Sequence, residues 1–303
     1  MSRMIRSPLF LMALTVFIDF TGFGLILPLL PFWAQRLGAN PVGVGLVLTI
    51  YALAQFVFTP VLGTLSDRYG RRPIIVVSLC VEAISFAATA LAGSLPILLA
   101  ARFVGGLGAS NIGSAQAVVA DTTEPSQRAR GMGLIGAAIG LGFVIGPAIG
   151  GALAALGPTV PFWVAMAVAV LNAVLVLRFL PETRARSASR EARHGPGALF
   201  SGWQRALQYP AIARLVAVNL IFTIAFTAME AVFPLFAQHY FHWGAEQIGY
   251  LFTYIGLIIV IMQGGLVGRL VKLWGERALL IAGLLLLAVG LLALSFSTSI
   301  ALL

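Results

Sequence analysis

Residues 63–72 read Gly-Thr-Leu-Ser-Asp-Arg-Tyr-Gly-Arg-Arg, and residues 268–277 read Gly-Arg-Leu-Val-Lys-Leu-Trp-Gly-Glu-Arg. At an offset of 205, Gly63 matches Gly268, Leu65 matches Leu270, Gly70 matches Gly275 and Arg72 matches Arg277. Each stretch also sets an aromatic before its second glycine (Tyr69, Trp274). A second echo stands at an offset of 203: Pro31-Phe-Trp-Ala34-Gln35 against Pro234-Leu-Phe-Ala237-Gln238. Two matches at nearly one offset indicate an internal duplication on the scale of a domain.

What is duplicated is apolar helix. Of 303 residues, 60% are hydrophobic and 10% charged, where a soluble domain carries about 25% charged residues. This balance excludes a soluble enzyme, a disordered chain and a free nucleic-acid binder. A membrane-crossing helix takes about 20 apolar residues. Runs of that kind fall at 9–33, 42–65, 73–94, 96–119, 131–155, 159–180, 212–237, 246–268 and 278–300, predicting nine spans. The first run is longer than a signal-peptide core and no A-x-A site follows it closely, so it reads as a retained span. The segments 1–8, 66–73, 120–130, 178–214 and 269–277 hold 17 of the 19 basic residues. Positive charge marks the cytoplasmic side, which puts the N-terminus inside a cytoplasmic (inner) membrane and gives the high pI a cause other than nucleic acid.

The polar stretch from Pro181 to Pro210 separates six spans from three. The predicted organisation is an N-terminal six-helix bundle over 1–180, a cytoplasmic linker over 181–210 and a partial C-terminal bundle over 211–303. Six spans between copies keep both copies in one orientation, as in transporters with two parallel halves.

Four ionisable residues lie within spans: Asp19, Glu82, Arg102 and Glu230. Each costs about 2.5 kcal/mol or more near the bilayer centre on insertion scales, so each must face a partner, the protein interior or a wet cavity. A carboxyl such as Asp19 can take and release a proton, which proton coupling requires, or line the substrate cavity and bind a cationic substrate; a structural hydrogen bond is the other role open to it. Arg102 stays charged, so it can pair with a carboxylate until a proton or a substrate breaks the pair; a packing salt bridge is its plainer role. Glu82 and Glu230, with Asn111 and Gln116, are candidates to line a substrate cavity, or to join helices by hydrogen bonds. Phe17, Phe20, Phe23, Phe222 and Phe226 suit either flat drugs or lipid.

At the inner end of the second span, Gly70 permits a tight turn. Asp67 can accept hydrogen bonds from Arg72 or Arg130 as a charge-assisted latch. Gly63, Arg68, Arg71 and Asp121 complete this cytoplasmic gate. Further along, Gly142, Gly146 and Gly150 recur every fourth residue beside Pro147 and Gly151. Such a stripe admits another helix backbone, and the proline bends its own helix.

These residues together resemble the major facilitator superfamily in its drug:proton antiporter branch. Gly63-x-Leu-x-Asp67-Arg68-x-Gly70-Arg71-Arg72 is similar to the loop motif after the second helix. Arg102-x-x-Gly105-Gly106-x-Gly108 is similar to the fourth-helix motif, and Asp19-x-x-Gly22-x-Gly24-x-x-x-Pro28-x-x-Pro31 to that of the first. Gly142-Phe-Val-Ile-Gly146-Pro147-Ala-Ile-Gly150-Gly151 resembles the fifth-helix antiporter motif, whose stripe the resemblance places against the eighth helix. Within the branch the likeness is to tetracycline and multidrug efflux transporters, which place an acidic residue nearer the position of Ser85 than of Glu82. The resemblance implies an all-α membrane protein, a major facilitator-type bundle with 9 of an expected 12 transmembrane helices. It implies export of a small amphipathic compound in exchange for protons, with Asp19 and Arg102 coupling the proton. The expected partners are a small-molecule substrate, protons and the bilayer, with no nucleic acid. The alternatives are a non-transporting membrane interaction module, motivated by the incomplete second copy, and a uniporter or symporter.

No catalytic motif accompanies these features. There is no P-loop to bind ATP, no nucleophile elbow and no Cys/His ligand set, with Cys80 the one cysteine. Neither an enzyme, a metal nor a cofactor is expected.

Overall fold

The computed structural model describes residues 7–109, 112–124, 127–182, 208–262 and 266–297. Asn111 and most of the predicted linker lie outside these described residues. All the described elements are helical: α1 (Pro8–Ile26), a 3-10 turn (Leu27–Leu29), α2 (Leu30–Arg36), α3 (Pro41–Tyr69), α4 (Arg71–Ala90), α5 (Leu95–Gly108), α6 (Ile112–Thr122), α7 (Arg128–Ala154), α8 (Val160–Phe179), α9 (Pro210–Phe241), α10 (Ala245–Ile261) and α11 (Val267–Phe296). Eight helical stretches are long and apolar enough to cross a membrane, and Ala245–Ile259 is a shorter apolar helix. Every predicted span therefore corresponds to a helix.

Local chemistry sets the boundaries. Pro41 opens α3 behind Asn40, whose side chain accepts from the Gly43 amide at 2.8 Å. This is an N-cap, with proline placed where its missing N–H does no harm. Pro28 and Pro31 lie at the 3-10 turn that divides the first span into α1 and α2. The two copies of the duplicated stretch break alike: Gly70 has φ 105° and ψ 154°, Gly275 has φ 76° and ψ 158°. Only glycine adopts such angles without strain. The predicted loop at 269–277 is helical on both sides of Gly275, because the helices run on past their apolar stretches. The second span likewise continues to Tyr69.

The chain forms two compact units, residues 1–191 with 244–260, and residues 192–243 with 261–303. In the first unit α1 packs on α7 and α8, α4 on α5 and α8, and α3 on α5. Its buried core joins Leu11, Met12 and Val16 of α1 with Leu79 of α4, Val118 of α6, Ile135 of α7 and Val176 of α8. Burying these side chains away from lipid tails yields little, since the tails are as apolar as leucine; close packing and polar contacts hold such helices together. In the second unit, α9 and α11 have mean hydropathies of 2.0 and 2.8 over their most apolar windows and expose long apolar side chains such as Ile221, Leu285 and Leu286.

Candidate functional site

α5 sits between α3 and α4, and its three glycines are the reason. A Cβ on Gly106 would lie 2.7 Å from the Ala54 Cβ of α3; one on Gly108 would lie 2.7 Å from the Glu82 backbone nitrogen of α4. A Cβ on Gly105 would lie 2.5 Å from the Ser85 hydroxyl. No larger residue leaves the backbones this close. Two hydrogen bonds then hold the wedge: Ser85 Oγ donates to the Ala101 carbonyl at 2.7 Å, and Gln55 Nε2 donates to the Ala109 carbonyl at 3.0 Å.

This packing surrounds Arg102 with groups from three other helices. The Arg102 side chain is fully buried at 0% exposure, and its Nε and both terminal nitrogens have no hydrogen-bond partner. Its guanidinium carbon lies 4.7 Å from the centre of the Tyr51 ring of α3, a cation–π contact that strengthens when desolvated. Glu82 of α4, 1% exposed, is near enough to interact electrostatically with Arg102. The Glu82 carboxyl neighbours the carboxyl of Asp19 from α1, and its Oε2 has no hydrogen-bond partner. Either acid can carry a proton, and an ionised carboxylate accepts from a protonated one. The arrangement can therefore hold one proton between two acids beside a fixed cation whose donors are unused.

A wall of half-buried aromatic rings adjoins this cluster. Phe23 stacks on Tyr51 at 5.1 Å between centroids and meets Phe143 edge-on at 5.9 Å; Phe20 lies 5.2 Å from Phe143. Asp19, Glu82 and Arg102, read separately from the sequence, are thus brought together. Gln116 is exposed on α6, Glu230 is half-buried on α9 in the second unit, and Asn111 lies outside the described residues. Tyr51 was not among the predicted residues. Its signal was available: a mid-span phenol, whose hydroxyl needs a polar neighbour, one turn before Gln55.

At the other end of α3, the predicted gate assembles around a different arginine. Asp67 is bridged by Arg71 at 2.8 Å, not by Arg72 or Arg130. Arg71 also reaches Asp121 at 3.3 Å and donates to Ser66 Oγ at 2.7 Å. The turn at Gly70 sets the start of α4 beside the end of α3, which brings Arg71 to Asp67. Arg72 instead donates to the Leu177 carbonyl at the end of α8. Arg130 is exposed and, among the described residues, makes no ion pair with Asp67. Arg68 lies over the ring of Tyr69. Gly63 has open space around it, and its carbonyl accepts from Ser66.

The glycine stripe of α7 corrects the expected neighbour. Gly142, Gly146 and Gly150 face α1: a Cβ on Gly142 would lie 2.7 Å from the Phe20 Cβ, and one on Gly146 2.8 Å from the Gly24 Cα. Pro147 lies against Gly24 on the same side. The eighth-span helix, α10, is met by the adjoining face of α7, where Gly151 abuts Gly249 and Val144 abuts Gly256. Every fourth residue of α7 looks toward α1, so the residue after Gly150 looks about 100° away, toward α10.

Residues 12–303 match the Major Facilitator Superfamily. The chain belongs to that superfamily. It is a multi-pass membrane transporter of small molecules and not an enzyme. Among curated relatives it is similar to the class C tetracycline resistance protein of Escherichia coli, 35% identical over 294 residues, covering 94% of this chain and 72% of the relative. It is also similar to multidrug resistance protein 2 of Bacillus subtilis, 31% identical over 277 residues, covering 88% and 67%. Among solved structures, the human organic anion transporter MFSD10 superposes with a TM-score of 0.73 at 28% identity, covering 99% of this chain and 80% of that one. A bacterial Spinster homologue, inward-facing and unoccupied, gives 0.71 at 17% identity, covering 90% and 64%.

Proposed function

We propose that this facilitator exports a small amphipathic compound across the cytoplasmic membrane in exchange for protons, with its N-terminus in the cytoplasm. The observation that carries the reading is the meeting of Asp19, Glu82 and Arg102 inside the first unit. Two acids stand side by side while the neighbouring guanidinium has no acceptor. Loss of a proton held there frees Glu82 to pair with Arg102. A substrate with a cationic or hydroxyl-bearing edge competes with the proton for the same carboxyls, and its flat face meets Phe20, Phe23, Tyr51 and Phe143. Asn111, Gln116 and Glu230 are further candidates for substrate contact, on the ground that they are polar residues within apolar spans. The Asp67–Arg71–Asp121 cluster serves as the cytoplasmic gate, with Gly63, Arg68, Gly70, Arg72 and Arg130 around it. The contacts of Gly142, Gly146, Pro147, Gly150 and Gly151 limit leak as the bundle rocks.

The test is uptake into inverted vesicles under an imposed proton gradient. The names of the similar proteins supply the panel: tetracycline, a set of structurally unrelated drugs and organic anions. At least one is expected to accumulate, with a protonophore abolishing uptake. Asp19→Asn is expected to remove gradient-driven accumulation and to weaken binding of a cationic substrate by about tenfold, the equivalent of about 1.4 kcal/mol. Accumulation that survives gradient collapse refutes the proposal.

A further inference from the structure

A helix that begins with glycine cannot cap itself with a side chain. The turn between α3 and α4 needs the positive φ of Gly70, and no side-chain cap comes from that position. The first amides of α4 still require acceptors, since a helix N-terminus leaves four unsatisfied N–H groups. The acceptor comes from the end of α8, which packs on α4. Glu182, two residues past the fully buried Leu180, takes the Arg71 amide on Oε1 at 2.9 Å and the Arg72 amide on Oε2 at 3.3 Å. The fit is close: a Cβ on Gly70 would lie 2.5 Å from Glu182 Oε2. Arg72 returns the connection by donating to the Leu177 carbonyl. A negative carboxylate at this terminus also meets the positive end of the helix dipole.

The residue whose amide Glu182 holds is the one whose guanidinium holds the gate. Arg71 reaches Asp67, Asp121 and Ser66 with an 8% exposed side chain. We infer that Glu182 is a positioning residue for the cytoplasmic gate: by capping α4 from the end of α8, it fixes the Arg71 backbone so that one guanidinium ties α3 to α6. The chain leaving α8 is thereby fastened at its first polar residues to the element that carries Glu82. This inference rests on the gate reading above. It goes beyond that reading by assigning the tie to a residue outside the gate motif.

The experiment uses the full chain in proteoliposomes and two readouts. The first is amide exchange in peptides covering residues 70–76, which requires no transport. Glu182→Ala is expected to speed exchange at Arg71 and Arg72 by roughly 2- to 30-fold, the range for losing a helix cap. Glu182→Gln keeps one acceptor oxygen and is expected to recover protection at one of the two amides. Gly70→Ala, which displaces the carboxylate, is expected to match Glu182→Ala. Gly275→Ala is the control: it has comparable backbone strain but nothing within 4 Å of its added Cβ, and should leave exchange at Arg71 and Arg72 unchanged. The second readout is transport: Glu182→Ala should lower the turnover rate with KM held, and Gln should restore it in part. Unchanged exchange in Glu182→Ala, or a transport loss that Gln does not lessen, overturns the inference. If Glu182→Ala does not fold, exchange in Glu182→Gln and Gly70→Ala decides. A wild-type chain that transports no compound defeats the proposed function, yet the exchange arm still reports whether Glu182 holds Arg71.

Discussion

Arg102 makes the residue-scale case that function, rather than stability, keeps a charge in this bundle. A guanidinium with 0% exposure and three nitrogens lacking acceptors is a poor stabiliser, because its desolvation is offset only by the Tyr51 ring and the nearby Glu82. Replacing a buried charged group by an apolar one of similar size is often neutral or stabilising. Arg102→Met should therefore raise the thermal midpoint in detergent or leave it unchanged, while gradient-driven transport is lost. A large drop in the midpoint would mark Arg102 as a packing residue. Arg102→Lys keeps the charge but not the planar fork over Tyr51, and is expected to restore little transport. That Asp19, Glu82 and Arg102 have a polar task was legible from their position in apolar runs. That they share it was not: the three residues are tens of positions apart, and their meeting depends on how each helix is turned about its axis.

Helix rotation is decided at the scale of elements, by glycine. On α7, Gly146 faces the Gly24 backbone of α1, whereas Gly151 faces Gly249 of α10. The spacing announced a close helix contact without saying which helix. Overfilling a tight interface costs about 1–3 kcal/mol, so Gly146→Val should lower thermal stability by about that amount through the α1–α7 contact. Gly151→Val should instead act on the α7–α10 contact. A cysteine pair placed to cross-link α1 with α7 should therefore lose efficiency in Gly146→Val and keep it in Gly151→Val. Equal losses in both would contradict the two-face assignment. The same reasoning explains Gly105, Gly106 and Gly108, which wedge α5 between α3 and α4 and so put Tyr51 and Glu82 around Arg102. Tyr51 escaped the sequence reading because a tyrosine within an apolar span fits packing as well as a site.

At the scale of the whole molecule, the duplication reads through to backbone conformation. Gly70 and Gly275, 205 positions apart, take a similar non-helical break after stretches that share a glycine, a leucine and a final aromatic residue. The arginine distribution bears on orientation through the membrane. With Cys80 replaced by serine, a cysteine at Ser187 should react with an impermeant thiol reagent only in inverted vesicles; labelling of intact cells would reverse the proposed topology.

The amino-acid order by itself determined that the chain is a series of apolar helices, where they run and which few polar groups lie within them. In lipid the backbone must satisfy its own hydrogen bonds, so a long apolar run has one available form. The tertiary structure alone decided which acid meets which base. Arg71 rather than Arg72 or Arg130 holds Asp67, Glu182 rather than a local residue caps α4, and Asp19 stands beside Glu82. Each pairing joins groups on different helices, and only the packed, glycine-set rotation of those helices brings them together.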